Sequence, residues 1–187
     1  MRHRASPHRE VGMKKLCLLT RLCLLAFALT VSAIAIDGSR PAHARQETSL
    51  NGYAPGTIVV RTGARRLYYV TGGGRAISYP VGVGRAGKTW TGSTFITSIR
   101  LRPDWSPPAE IRRDKPSLPH VIPGGSPRNP MGAAALLLAK GEYAIHGTNA
   151  PGSIGGFVSY GCIRMHNADI MHLIQRVHMG TPVVVTR

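Results

Sequence analysis

The chain has 187 residues, 24 of them Lys or Arg against eight Asp or Glu, for a formal charge of +16 at neutral pH. No internal repeat, long linker or second hydrophobic region divides it, so a single domain is expected behind a leader. The basic balance points to an anionic envelope or a carboxylate-rich substrate, and export argues against nucleic acid.

Residues 1–44 read as a secretory signal peptide. Arg2, Arg4, Arg9, Lys14 and Lys15 make a basic region, Leu22 to Ile36 is an uncharged run of 15 residues, and Ala42-His43-Ala44 is a small-x-small cleavage pattern. The run is short for a bilayer span of about 20 residues, which favours cleavage after Ala44 over an uncleaved membrane anchor. Met13-Lys14-Lys15 offers an alternative start. Removing the leader takes seven of the 24 basic residues and two of the eight acidic ones, leaving +11. The expected address is the periplasm or cell envelope, with membrane contact only through an uncleaved leader.

Residues 45–54 read as a short polar lead-in to a domain over 55–187. Thr57–Val60 and Arg66–Val70 are β-branched and aromatic runs around Thr62-Gly63-Ala64, predicting a hairpin. Ala76–Tyr79, Val81–Val83 and Thr94–Ile99 are further strand candidates. The proline-rich stretch 102–130 has no periodicity, and a loop of that length in a compact domain is usually a lid or groove wall. Ala133–Ala139 fits helix or strand by pattern. Tyr143–His146 reads as a strand. Ile170, Leu173, Ile174 and Val177 repeat at helical spacing, with Asn167 as N-cap and Gly180 at the stop. Val183–Val185 closes a β-rich domain with one late helix.

Cys162 is the one cysteine outside the leader region, in Ser159-Tyr160-Gly161-Cys162-Ile163-Arg164, sixteen residues after His146. A lone cysteine is more often a small buried hydrophobe. Here small residues surround it, a cation lies two positions on, and a histidine beside glycine precedes it. An unpaired thiol in an exported chain reads as reactive, with imidazole as the agent that takes its proton. In an extended segment Arg164 faces the same side as Cys162, where it would hold the thiolate or a substrate carboxylate. With one such cysteine and no Cys-x-x-Cys or His-x-x-x-His pair, no metal site is expected. Nor is any cofactor. His166, His172 and His178 read as surface or packing residues.

Ile145-His146-Gly147-Thr148 followed by Ser159-x-Gly161-Cys162-Ile163-Arg164-Met165 resembles the signature of the L,D-transpeptidase catalytic domain (YkuD-type). Tyr79–Gly84 and Thr91-Gly92-Ser93-Thr94-Phe95 resemble further family segments. Trp105-Ser106-Pro107-Pro108, Pro123-Gly124-Gly125 and Asn129-Pro130-Met131-Gly132 resemble a subgroup of Gram-negative envelopes. The likeness covers about residues 55–187. It implies a mainly β fold, a twisted sandwich or barrel-like sheet with one late α-helix. It implies acyl transfer from the L,D bond of a peptidoglycan tetrapeptide stem. The acceptor would be a diaminopimelate or lysine amine, a lipoprotein lysine, or water.

On that resemblance Cys162 is the nucleophile, His146 the base, and the Gly147 carbonyl orients the imidazole. The amides of Gly161 and Cys162 would stabilise the oxyanion, with Arg164, Ser159, Asn149 and Tyr143 as substrate-side candidates. Two positions depart from the family. Trp90 stands where proline is usual, which is expected to alter a turn and leave the chemistry alone. Tyr160 fills a slot where relatives often carry His, Arg or Lys. A sortase-like enzyme would need a Thr-Leu-x-Thr pattern and a more distant histidine. The rival from another class is a basic, non-catalytic envelope-binding domain of the same fold.

Overall fold

The computed structural model describes residues 45–187. The expected leader, with its cleavage after Ala44, lies outside the described residues. Eleven strands and two short α-helices make up the domain. The strands are β1 (Gln46–Ser49), β2 (Ile58–Arg61), β3 (Arg66–Gly72), β4 (Arg75–Pro80), β5 (Val83–Gly84) and β6 (Gly92–Leu101), then β7 (Ala134–Leu138), β8 (Ala144–His146), β9 (Phe157–Ser159), β10 (Ile163–Arg164) and β11 (Pro182–Thr186). The helices are α1 (Ala109–Asp114) and α2 (Asn167–Ile174).

Nine strands form one sheet in the order β1-β4-β3-β2-β11-β6-β7-β8-β10, and β5 pairs with β9 separately. The expected hairpin is present, with Val60 opposite Leu67. The ten-residue β6 joins the two halves of the sheet. Gly92–Phe95 pairs with β11, then Ile96–Leu101 pairs with β7 across a register shift between Ile96 and Ser98. Such irregularities bend a strand and let a sheet turn.

Alternation along the strands divides the core. Ile58 and Val60 join Leu67, Tyr79, Ile96, Leu136, Ile145 and Ile163 in the main cluster, which Ile170 and Leu173 of α2 cover. Val59 points to the other face, with Leu50, Val70 and Ala76. The ambiguous run at 134–138 is a strand. It is buried almost throughout, so its apolar residues show no period of two.

Three expectations need correction. The polar lead-in contains β1, which pairs antiparallel with β4 from Gln46–Ser78 to Ser49–Arg75, so the sheet starts earlier than residue 55. The stretch 102–130 contains α1, which buries none of its residues. Asn167 does not cap α2. His166 holds the cap position without a side-chain bond, and the helix ends at Ile174, well short of Gly180.

Candidate active site

β8 and β10 run parallel, and their register sets the floor of the site. Ile145 pairs with Ile163 and His146 with Arg164. The two isoleucines enter the main core, so His146 and Arg164 emerge together on the opposite face. Cys162, just before β10, shares the parity of Arg164. All three side chains line one cavity of about 670 Å³, with Tyr143, Ser159 and Tyr160 beside them. The backbone around them is held firmly. The Met165 amide donates to the His146 carbonyl at 2.8 Å, and the Gly147 amide to Ala134 at 2.9 Å. Arg164 exchanges both backbone bonds with Gly82, at 2.8 and 2.9 Å.

The His146 Nδ1–H donates to the Gly147 carbonyl at 2.7 Å. That leaves the Nε2 lone pair as the basic site. Burial pushes the imidazole pKa down to about 4, and the Arg164 cation adds to the shift. The Gly147 and Pro130 carbonyls oppose it. Burial likewise pushes the Cys162 thiol up, against the Ala144 backbone and the Arg164 cation. The residue is only partly covered, yet its sulfur sits deep enough for desolvation to dominate. Both shifts disfavour charge, so the resting pair is thiol and neutral imidazole. The thiol makes a long contact of 3.9 Å to the Glu142 carbonyl. Among the described hydrogen bonds none joins the sulfur to His146. The Arg164 Nε is buried with no hydrogen-bond partner among the described residues.

The turn carrying Cys162 is stapled from within. Ser159 Oγ donates to the Cys162 carbonyl at 2.6 Å and accepts the Gly161 amide at 3.1 Å. Ser159 therefore shapes the turn, and the Gly161 amide is engaged by its hydroxyl. The Cys162 amide has no partner among the described residues. Gly161 lies at φ +122°, and a Cβ there would sit 2.4 Å from Tyr143 Cε1. A close approach of this kind admits only glycine. Gly147 is similarly confined, with Asn167 Oδ1 2.3 Å from where a Cβ would be.

Asn149 falls outside this cavity. Its amide donates to the Pro127 carbonyl at 3.0 Å, and it lines a second cavity with Arg102 and Thr148. Asn167, expected as a cap, instead accepts the amides of Ala133 and Thr148, each at 3.0 Å, and donates to the Thr148 carbonyl. It thereby fixes the backbone just after His146. His172 packs as expected, bonded to Tyr79 Oη at 2.8 Å.

Trp90 departs from its expected role. Its indole donates to the Gly161 carbonyl at 2.9 Å and stacks on Tyr143 at 5.2 Å and 4°. The wall opposite the floor is the 102–130 segment, folded around Asn129, whose amide donates to the carbonyls of Pro103, Ile122 and Pro123. Helix α1 reaches the site through polar links, two of them exposed and the Lys88–Glu110 pair half-buried. Tyr160 Oη donates to Asp114 at 2.6 Å, Arg85 pairs with Asp114 at 3.1 Å, and Lys88 pairs with Glu110. Arg85 also lies over the Tyr160 ring, 3.9 Å from its centroid. The hydrogen bonds from Tyr160 and Arg85 hold the Asp114 carboxyl below the usual carboxylate range.

Residues 55–185 match the L,D-transpeptidase catalytic domain, YkuD. The chain is 42% identical over 135 residues to probable L,D-transpeptidase YbiS of Escherichia coli, a span of 67% of this chain and 43% of that protein. It is 40% identical over 136 residues to probable L,D-transpeptidase ErfK/SrfK of Salmonella typhimurium, covering 68% and 43%. The matched region thus spans about two fifths of the length of these curated relatives. An L,D-transpeptidase from Mycobacterium smegmatis shares the fold at a TM-score of 0.57 and 20% identity, over 79% of this chain and 69% of that one. Strand register, the stapled cysteine turn and the sequence match converge, and the chain belongs to the YkuD-type L,D-transpeptidase catalytic domain family.

Proposed function

We propose that the protein is an exported peptidoglycan L,D-transpeptidase whose nucleophile is Cys162. The observation that supports this most strongly is the register that sets His146 beside Arg164 on one face, in the cavity that also holds Cys162. The proposed donor is a tetrapeptide stem. As the thiol turns from Glu142, His146 Nε2 takes its proton and sulfur attacks the carbonyl of the third residue. Negative charge moves to the carbonyl oxygen, where the Cys162 amide is the available backbone donor. The C–N bond to D-Ala then breaks, His146 returns the proton to the departing amine, and a thioester remains.

An acceptor amine attacks that thioester in the second half-reaction. His146 removes the amine's proton and passes it to the leaving sulfur. Burial favours the neutral forms of both groups, so in this cycle the proton moves to His146 as sulfur attacks. Arg164 would stabilise the thiolate or a stem carboxylate with its half-buried guanidinium. A neighbouring stem amine gives a 3→3 cross-link, the first choice here. A lipoprotein lysine gives anchoring to the wall, and water gives trimming. The periplasm is the proposed location.

The test mixes the protein with disaccharide-tetrapeptide and follows products by mass spectrometry, beside Cys162→Ala. Loss of D-Ala with a cross-linked dimer, both absent in the variant, is expected. Loss of D-Ala giving tripeptide alone would indicate carboxypeptidase action or a missing protein acceptor. No turnover and no thioester on Cys162 would defeat the reading in favour of a non-catalytic envelope-binding domain.

A further inference from the structure

We infer that Trp90 is a positioning residue, whose indole N–H holds the Gly161 carbonyl and thereby aims the Cys162 amide at the oxyanion. The inference rests on the acyl-transfer reading of Cys162 and assigns one part of its machinery.

One peptide unit, Gly161–Cys162, sets the geometry. The Gly161–Cys162 bond is trans, as are all peptide bonds among the described residues. In a planar trans peptide the C=O and the following N–H point in opposite directions. The indole of Trp90 donates to the Gly161 oxygen at 2.9 Å, and an indole can only donate. Fixing that oxygen toward Trp90 fixes the Cys162 N–H on the side away from it.

Trp90 is itself held in place. Its ring stacks on Tyr143 at 5.2 Å with planes 4° apart, and Lys140 Nζ lies 5.5 Å from the ring centroid. The Tyr143 ring presses on Gly161 so closely that no Cβ fits there. Rotating the peptide would therefore break the indole bond inside a turn that has no slack.

A second, independent observation concerns the remaining polar groups of the turn. The Gly161 amide and the Cys162 carbonyl are both taken by Ser159 Oγ, and the Gly161 carbonyl by Trp90. Among the described residues only the Cys162 amide of this group has no partner. Protein backbone donors are rarely left without one. With the Gly161 amide, the Gly161 carbonyl and the Cys162 carbonyl engaged, the Cys162 amide, at the nucleophile itself, is the donor left to meet the reacting oxygen.

The decisive experiment removes the N–H and keeps the ring. Trp90 is replaced in the full chain by 3-benzothienylalanine, which has the shape of tryptophan without the donor, and Trp90→Phe is made beside it. Acylation of Cys162 by a carbapenem is followed by stopped-flow fluorescence and mass spectrometry. Losing an oxyanion donor outright costs about 10²–10³-fold, so loosening one should lower the saturating acylation rate about tenfold. The half-saturating concentration and the melting temperature should hold, and the Cys162 amide resonance should move. An unchanged rate in the folded benzothienylalanine protein overturns the inference. So does a constant rate with a raised half-saturating concentration, which would make Trp90 a substrate wall. If Trp90→Phe fails to fold, the isosteric variant decides alone. A wild-type protein that is never acylated defeats the transpeptidase reading itself, and this inference with it. Acylation that ignores Trp90 defeats only the inference.

Discussion

The floor of the site and its wall are built on different physics. His146 and Arg164 ride on β8 and β10, whose alternate residues Ile145 and Ile163 are buried in the main core. Moving either functional side chain means moving a strand. Helix α1 in the opposite wall buries nothing and is tied to the site by Tyr160–Asp114, Arg85–Asp114 and Lys88–Glu110. The two links to Asp114 are exposed and the Lys88–Glu110 pair is half-buried, and accessible pairs contribute little and are weakened by salt. The candidate site thus sits on a rigid base and faces a wall that can yield, which would suit the proposed transfer, in which the cavity admits a donor and then an acceptor.

The largest effect should come from the floor. His146→Ala should lower acylation by about 10²–10⁴-fold, the range typical of a general base, while the melting temperature changes little. Rate loss smaller than tenfold at neutral pH would remove His146 from the proton path.

The same residue carries a pH signature in stability. Its folded pKa is lowered from 6.5 to about 4. Above 6.5 neither state holds the proton. As pH falls toward 4 the unfolded chain binds a proton that the folded one refuses, so stability present above 6.5 is lost. The loss amounts to roughly 3 kcal/mol. Urea unfolding at pH 7 and 4.5 should show it in the wild type and show it reduced in His146→Gln. Equal losses in both proteins would place the effect elsewhere.

The floor was largely legible in the sequence, and the wall was not. Tyr143–His146 and Val183–Val185 announce themselves through β-branched and apolar residues, and the Ser-x-Gly-Cys-x-Arg spacing marks Cys162 and Arg164. Gln46–Ser49 carries no such pattern, because β1 is a polar strand joined to β4 through its backbone. Short α1 has no apolar stripe and is set by partners far away in the chain. The contact between Trp90 and Gly161 spans 71 positions, and that of Asn167 with Thr148 spans 19. Long-range polar contacts leave no periodic trace. Asn149, a substrate-side candidate on the resemblance, turns its side chain to another cavity, where it bonds Pro127.

The stapled turn lies between the two regions in expected effect. Gly161→Ala must place a Cβ 2.4 Å from the Tyr143 ring at a φ of +122°. Strain of this kind costs about 1–3 kcal/mol, readable by urea denaturation, and acylation should slow along with it. A variant as stable and as fast as the wild type would show that the turn relaxes freely, and the contrast with the wall would then fail.

The smallest effect should come from Tyr160→Phe, which keeps the ring beneath Arg85 and removes the hydroxyl that bonds Asp114 and meets Arg85. If the wall merely guides substrate, KM for the stem should rise a few-fold with kcat unchanged. Because the Arg85–Asp114 pair is exposed, about 1 M salt should bring the wild-type KM toward that of the variant. Salt should leave the defect of His146→Ala untouched, since that residue is buried. A fall in kcat instead of a rise in KM would place the Tyr160 hydroxyl in the chemistry. The division between rigid floor and yielding wall would then have to be redrawn, with residue 160 on the catalytic side.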